Sequence, residues 1–316
     1  MRRWNRVRLV LILLSVYLLV CGLAGGFIAE MTLHPGRRVL LPRDERQAQQ
    51  ITQGQNAELE DVEIQAGDGI RLAGWMARPR GWNHDVVILL HGLGDNRMGM
   101  TGYAALLLHH GFGVLMPDAR AHGASGGVLA TYGLLERDDI RRWFEWTAQQ
   151  EHPSCIFGFG ESMGAAQLLQ AVQSESNFCA VAGESSFASM REIAYDRVGQ
   201  FFHAGPWLGR SVFRPVVEIA FWYARWKYDL DLEQVMPDGA VAGSQVPVWL
   251  IHGRDDRNIP VRHSRRIARN NPRLTVWEVP GADHCGAISV SPQEFERRLV
   301  GWFEEHARVP RHQFRI

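Results

Sequence analysis

Ser162, His284 and Asp256 are the residues whose types, order and settings could together do chemistry. A serine hydroxyl is a weak nucleophile until a base takes its proton, and the base needs an acid to orient it. Ser162 stands in Gly160-Glu161-Ser162-Met163-Gly164, after the apolar run 156–159 and before a helical pattern. In that setting the glycines permit a tight, strained strand-to-helix turn, where side chains would collide with neighbouring elements. The turn raises the hydroxyl at the head of a helix, whose N-terminus favours developing negative charge. His284 follows the apolar segment 275–279 within Gly281-Ala282-Asp283-His284, and Asp256 follows the run 248–251 within His252-Gly253-Arg254-Asp255-Asp256. Asp255 and Glu184 are alternative acids, whereas Asp283 reads as a loop cap.

These residues need a scaffold that brings their loops to one edge. Continuous apolar runs at 86–90, 114–116, 156–159, 179–182 and 248–251, with helical patterns between them, indicate parallel strands covered on both faces. The helical patterns lie at about 98–110, 132–150, 163–173, 261–270 and 292–307, and 275–279 adds a last strand. Ahead of them, alternation at 61–65 and 71–78 around Gly67-Asp68-Gly69 predicts an antiparallel hairpin. The class is therefore α/β. Residues 186–245 break the alternation and are rich in Phe, Trp, Tyr and Arg, which predicts a helical insertion over the C-terminal edge of the sheet. Its aromatics suit either ordinary cap packing or an acyl pocket or membrane-facing lid.

Residues 9–29 are uncharged and mostly apolar, long enough to cross a bilayer as a helix. Arg2, Arg3, Arg6 and Arg8 precede them, which keeps the N-terminus in the cytoplasm and exports the rest. Arg37, Arg38 and Arg43 follow and pull the other way. The rival reading is a cleaved signal peptide, with small residues at Gly22, Ala24, Gly25 and Gly26; the length of the run favours an anchor. The expected division is an anchor at 1–29, a polar linker or lead-in at 30–60, the main domain at 61–308 with its insertion, and a basic tail at 309–316. The formal net charge of zero gives no reason to expect a nucleic-acid partner. Of four cysteines, Cys155 and Cys179 fall in predicted buried strands and read as small hydrophobes, with one disulfide the most the globular part could form. No Cys-x-x-Cys or paired-histidine pattern implies a metal, and nothing implies an organic cofactor. His91 and His252, each before a glycine at a strand end, read as structural; His109, His110, His122 and His263 read as surface or loop residues.

Across about residues 60–307 the sequence resembles the α/β-hydrolases, in the group that includes serine-aminopeptidase-like and monoacylglycerol-lipase-like enzymes. The matching pieces are His91-Gly92-Leu93-Gly94, Asp118-Ala119-Arg120-Ala121-His122-Gly123-Ala124-Ser125, the turn at Ser162, and the Asp256 and His284 loops. Ala121 stands where the family more often has glycine, in a motif that shapes a loop. The resemblance implies a mostly parallel sheet with helices on both faces, a helical cap, and oxyanion-binding amides at Leu93 and Met163. It further implies a serine hydrolase in which Ser162 attacks, His284 is the base and Asp256 its acid, cleaving a small-molecule carboxylic ester, with lipid-like acyl esters among the candidates. A serine peptidase or an acyltransferase would use the same residues; a membrane-tethered binding protein on the same scaffold would not.

Overall fold

The computed structural model describes residues 2–307; the basic tail expected at 309–316 lies outside the described residues. Eight strands form one sheet: β1 (Ala57–Gln65), β2 (Arg71–Pro79), β3 (Asp85–Leu90), β4 (Gly113–Pro117), β5 (Cys155–Glu161), β6 (Ala180–Glu184), β7 (Val248–Gly253) and β8 (Thr275–Val279). Their spatial order is β1-β2-β4-β3-β5-β6-β7-β8. The β1–β2 and β2–β4 pairs are antiparallel and every later pair is parallel. This is the α/β-hydrolase fold, as the sequence leads one to expect.

The helices are α1 (Arg2–Leu33), α2 (Pro42–Gly54), α3 (Thr101–His109), α4 (Glu136–Glu151), α5 (Met163–Ser174), α6 (Met190–Phe201), α7 (Trp207–Arg210), α8 (Arg214–Tyr228), α9 (Pro237–Ala242), α10 (Arg262–Asn270), α11 (Ala287–Val290) and α12 (Pro292–Glu305). Successive side chains of a strand point to opposite faces, and here both faces are covered. Val87, Leu89, Phe157 and Phe159 join Tyr103 and Leu107 of α3 and Phe295, Leu299 and Phe303 of α12 in one core. Val86, Ile88, Leu90 and Ile156 join Trp143 of α4, Leu168 and Val172 of α5 and Ile267 of α10 in the other. That is why the central strands read as unbroken apolar runs instead of alternating ones.

The chain divides into two compact units. One combines the N-terminal segment through His34 with Ser189–Val235; the other runs from Pro35 to Ala188 and resumes at Met236. In the first unit α8 packs along α1, and Arg191 of α6 pairs with Glu218 of α8 and with Glu233. The second unit holds the whole sheet. Residues 236–245, expected within the insertion, include α9, which packs on α5 in this second unit. Arg266 of α10 pairs with Asp238 at 2.8 Å there, and the Asp238 amide donates to the Ala188 carbonyl.

Two expectations are corrected. The segment expected as an irregular lead-in contains α2, whose start is marked by Pro42 and by the Asp44 carboxylate accepting from the Leu41 amide. Its buried face is narrow, Asp44, Ala48 and Thr52, too slight a stripe for an apolar period to stand out. Cys155 and Cys179, expected as free apolar residues, form a disulfide. Cys155 opens β5 and Cys179 immediately precedes β6, the neighbouring parallel strand, so pairing of the strands brings the two sulfurs together.

Alkylating the denatured, unreduced protein should therefore modify two of its four cysteines, Cys21 and Cys285, and all four after reduction. Modification of all four without reduction would show the pair to be open. Replacing both Cys155 and Cys179 by Ser should lower stability by about 3 kcal/mol, on the chain-entropy estimate for a loop of 24 residues, read from urea denaturation midpoints.

Candidate active site

Ser162 lies between the end of β5 and the start of α5, with φ +51°. A non-glycine residue rarely adopts this conformation, and packing on both sides of it holds the turn. A Cβ on Gly164 would meet the Leu90 carbonyl and lie 2.7 Å from the His91 oxygen; one on Gly160 would lie 2.6 Å from the Gly164 carbonyl carbon. Both glycines are thus fixed by backbone-to-backbone approach. The Ser162 amide donates to the Glu184 carbonyl of β6 at 2.8 Å, tying the turn to the neighbouring strand.

The three sequence-selected side chains meet. The Ser162 hydroxyl is 2.9 Å from His284 Nε2, and His284 Nδ1 is 2.8 Å from Asp256 Oδ2. With the Nδ1 proton donated to Asp256, Nε2 is left as the acceptor for the Ser162 hydroxyl. Asp256 is buried, with its other oxygen accepting from the Asn258 and Ile259 amides at 2.9 and 2.8 Å. Burial alone would raise its pKa, but hydrogen bonding from His252 and His284 outweighs that and holds the carboxylate well below its usual range. The alternative acids stand elsewhere: Asp255 is exposed, and Glu184 accepts from the Ala287 amide at 2.9 Å. Asp283 Oδ1 accepts from the His284 and Arg257 amides at 2.9 and 3.1 Å, capping the loop as expected.

Leu93 and Met163 flank this centre. Gly92 packs beside the nucleophile, since a Cβ there would lie 3.6 Å from that of Ser162. Among the described residues, no protein group accepts from the Leu93 or Met163 amide. The loop carrying Leu93 is held on both sides by histidines. His91 Nδ1 donates to the Gly92 carbonyl at 2.8 Å while its Nε2 accepts from the Ala119 amide at 3.1 Å. His122 Nδ1 donates to the Arg120 carbonyl at 2.9 Å while its Nε2 accepts from the Gly94 amide at 3.1 Å. Each ring needs one protonated and one bare nitrogen, so both serve as neutral imidazoles. Burial pushes both pKa values down, and His91 pushes His122 further. His252 donates from Nε2 to the Ile259 carbonyl at 2.7 Å, with Nδ1 2.6 Å from the Ser264 hydroxyl, bracing the loop that presents Asp256. His122 lies in a loop, as expected, but is fully buried; His263, expected at the surface or in a loop, is buried in α10. Arg120 and Ala188 supply polar backbone partners that single-residue statistics do not register.

Sequence reasoning missed a carboxyl pair beside the nucleophile. The Tyr103 hydroxyl lies 3.3 Å from Glu161 and 3.4 Å from Glu184. One hydroxyl has one proton to donate, so the cluster is better satisfied when one carboxyl keeps its own proton. Loss of solvation raises the pKa of both acids; Glu184, further raised by the charge of Glu161, reaches about 7. The neighbouring Cys285 thiol is pushed well up by burial and then by the same two carboxylates. The only sequence signal was Glu161 itself, a charge placed directly before the serine. Among the described residues no cluster of His, Cys, Asp and Glu is arranged to hold a metal ion.

Comparison with known proteins finds relatives of this chain. The Alpha/beta hydrolase family profile matches residues 87–298. The chain is 27% identical to YqkD of Bacillus subtilis over 65% of each protein, just under two thirds of that relative's length. It is 30% identical to Rv2307c of Mycobacterium tuberculosis over 71% of this chain and 72% of that protein. Among solved structures, an esterase of Pyrococcus furiosus, Pf2001, superposes with a TM-score of 0.65 at 26% identity, covering 87% of this chain and 98% of the esterase.

Glu184 provides a test independent of turnover. Its folded pKa lies above that of a free glutamate, so its contribution to stability is complete below about pH 4.5 and lost as the pH rises toward 7. Glu184→Gln keeps an acceptor for the Ala287 amide and removes the titration. It should gain on the order of 2–3 kcal/mol over wild type at pH 8 and little at pH 5, read from urea midpoints. An equal effect at the two pH values would remove the raised carboxyl.

Proposed function

This chain belongs to the alpha/beta hydrolase family, and from that premise we propose that it is a serine hydrolase that cleaves a carboxylic ester through an acyl-enzyme. The observation that carries the proposal is the continuous hydrogen-bonded chain from Ser162 through His284 to Asp256. Ser162 Oγ attacks the ester carbonyl as His284 Nε2 takes its proton. Asp256 keeps the proton on Nδ1 and stabilises the imidazolium that forms. The carbonyl oxygen gains negative charge and is received by the free amides of Leu93 and Met163, the latter at the positive end of α5. His284 then protonates the departing alkoxide, leaving Ser162 acylated. In the second half a water, deprotonated by His284, attacks the acyl-enzyme and releases the acid. The neutral histidines His91 and His122 hold the oxyanion loop in place throughout, so little reorganisation is needed as charge develops.

In the same proposal α1 is an uncleaved signal anchor, with its N-terminus in the cytoplasm and the Ser162 domain outside. The segment Arg6–Leu33 is long and apolar enough to cross a membrane. Arg37 and Arg38, which argue against this orientation in the sequence, have structural partners. Arg37 donates to the Ser125 and Gly127 carbonyls, and Arg38 pairs with Asp95 at 2.6 Å. The Cys155–Cys179 disulfide suits an oxidising compartment. An apolar anchor beside an aromatic-rich insertion favours esters with an apolar acyl part.

A fluorophosphonate probe should label the wild-type protein in detergent and fail to label Ser162→Ala. Labelling retained in the mutant, or absent from folded wild type, would overturn the assignment and favour a non-catalytic binding role. Against short and long acyl esters, Ser162→Ala and Asp256→Asn should each lose at least about a thousandfold in kcat.

A further inference from the structure

The unit formed by α1 and the inserted helices has a packing pattern that the hydrolase chemistry does not use. Along α1 the buried positions recur every fourth residue: Cys21, Gly25, Ala29 and Leu33, with Tyr17 half-buried one turn earlier. This is one face of a helix, and three of the four buried residues are small, as in helix pairs packed within membranes. The partner is α8. A Cβ on Gly25 would lie 2.8 Å from Ile219 Cγ2 and from the Val216 carbonyl, so the approach requires glycine. At the far end Glu30 accepts from Tyr223 at 2.7 Å, Tyr228 at 2.8 Å and Lys227 at 2.6 Å, Lys227 being the only lysine in the chain. At the near end the Tyr17 hydroxyl donates to the Val212 carbonyl.

The register of these contacts fixes a depth. Tyr17 lies 12 residues before Ala29, the last of the uncharged run, or about 18 Å along the helix. The hydrocarbon core is about 30 Å thick, so a helix that fills it with residues 9–29 carries Val212 to about the middle of the acyl-chain region. The side chains there suit that position. Phe201, Phe202, Trp207 and Val212 all project into solvent, Phe201 at 78% and Trp207 at 61% exposure. The charges among them are matched, Arg210 with Glu192 and Arg214 with Glu218. Trp222 and Trp226, stacked and exposed, lie on α8 near the Glu30 cluster, where the apolar run of α1 ends and an aromatic belt belongs.

We propose that the tip of the insertion, residues 201–213, is embedded among the lipid acyl chains beside α1, and that α1 and α8 enter the bilayer as one packed pair. The occupant of this aromatic surface is the acyl-chain interior of the bilayer. The inference rests on the anchor reading above, and the test separates the two. In full-length protein carrying Cys21→Ala and Cys285→Ser, single cysteines are introduced by Phe202→Cys, Trp207→Cys, Leu13→Cys and Arg273→Cys. Each is labelled with a small fluorophore without reduction and reconstituted in phosphatidylcholine vesicles, with folding checked by circular dichroism. Quenching is read with aqueous iodide and with nitroxide on the lipid acyl chain. The probes at 202 and 207 should be quenched by the lipid nitroxide, as the one at 13 is, and should be several-fold less sensitive to iodide than the one at 273. Iodide sensitivity at 202 and 207 equal to that at 273, with 13 still reached from lipid, overturns the embedded tip and leaves the anchor standing. Absence of lipid quenching at 13 removes both.

Discussion

The approach of α5 to the ends of β3 and β5 is the constraint on which the site depends. Gly164 lies so close to the carbonyls of Leu90 and His91 that no side chain fits between them. The helix therefore begins hard against the sheet, and Ser162 must take a positive φ to turn from strand into helix. The strain, on the order of 1–3 kcal/mol for such a residue, is sustained by the packed cores on either side. In return the hydroxyl stands clear of its own backbone, within reach of a histidine far along the chain.

The supporting residues divide the electrostatic work. His91 and His122 are kept neutral by burial and by partners that require one bare nitrogen each. They can brace the Leu93 loop without adding charge beside Ser162. Asp256 is kept ionised, because amide donors and two imidazoles offset the cost of its burial. Glu161 and Glu184 show the opposite outcome: they share one tyrosine hydroxyl, and burial raises the pKa of both. Neighbouring carboxyls thus shift in opposite directions because their hydrogen-bond donors differ.

The pairing of α1 with α8 links the apolar N-terminal helix to the insertion. An isolated membrane helix fixes only the position of a tether. A helix packed through small residues over four turns, with Glu30 tied to Tyr223, Lys227 and Tyr228, also fixes the orientation of the helix beside it. In the proposed arrangement, the aromatic richness of the insertion, ambiguous between packing and membrane contact in the sequence, takes its direction from that contact.

The sequence by itself determined the fold class and drew attention to the residues that the fold brings together, because both are written in short-range patterns. Unbroken apolar runs mark strands covered on two faces, and Gly160-Glu161-Ser162-Met163-Gly164 after such a run marks a turn that only glycines permit. What only tertiary structure decided was which groups meet. Asp256 rather than its neighbour Asp255 faces His284, because the loop after β7 buries one carboxylate and exposes the other. Cys155 and Cys179 pair because β5 and β6 are adjacent in the sheet. His122 reaches the Gly94 amide, and Tyr103 reaches two glutamates, across separations that no local period encodes. Even α2 was hidden, since its narrow buried stripe gives too weak a period to read until β1 and α3 are there to pack against it. Periodicity reports the faces an element must bury; only the folded chain specifies which partner each buried or polar group finds there.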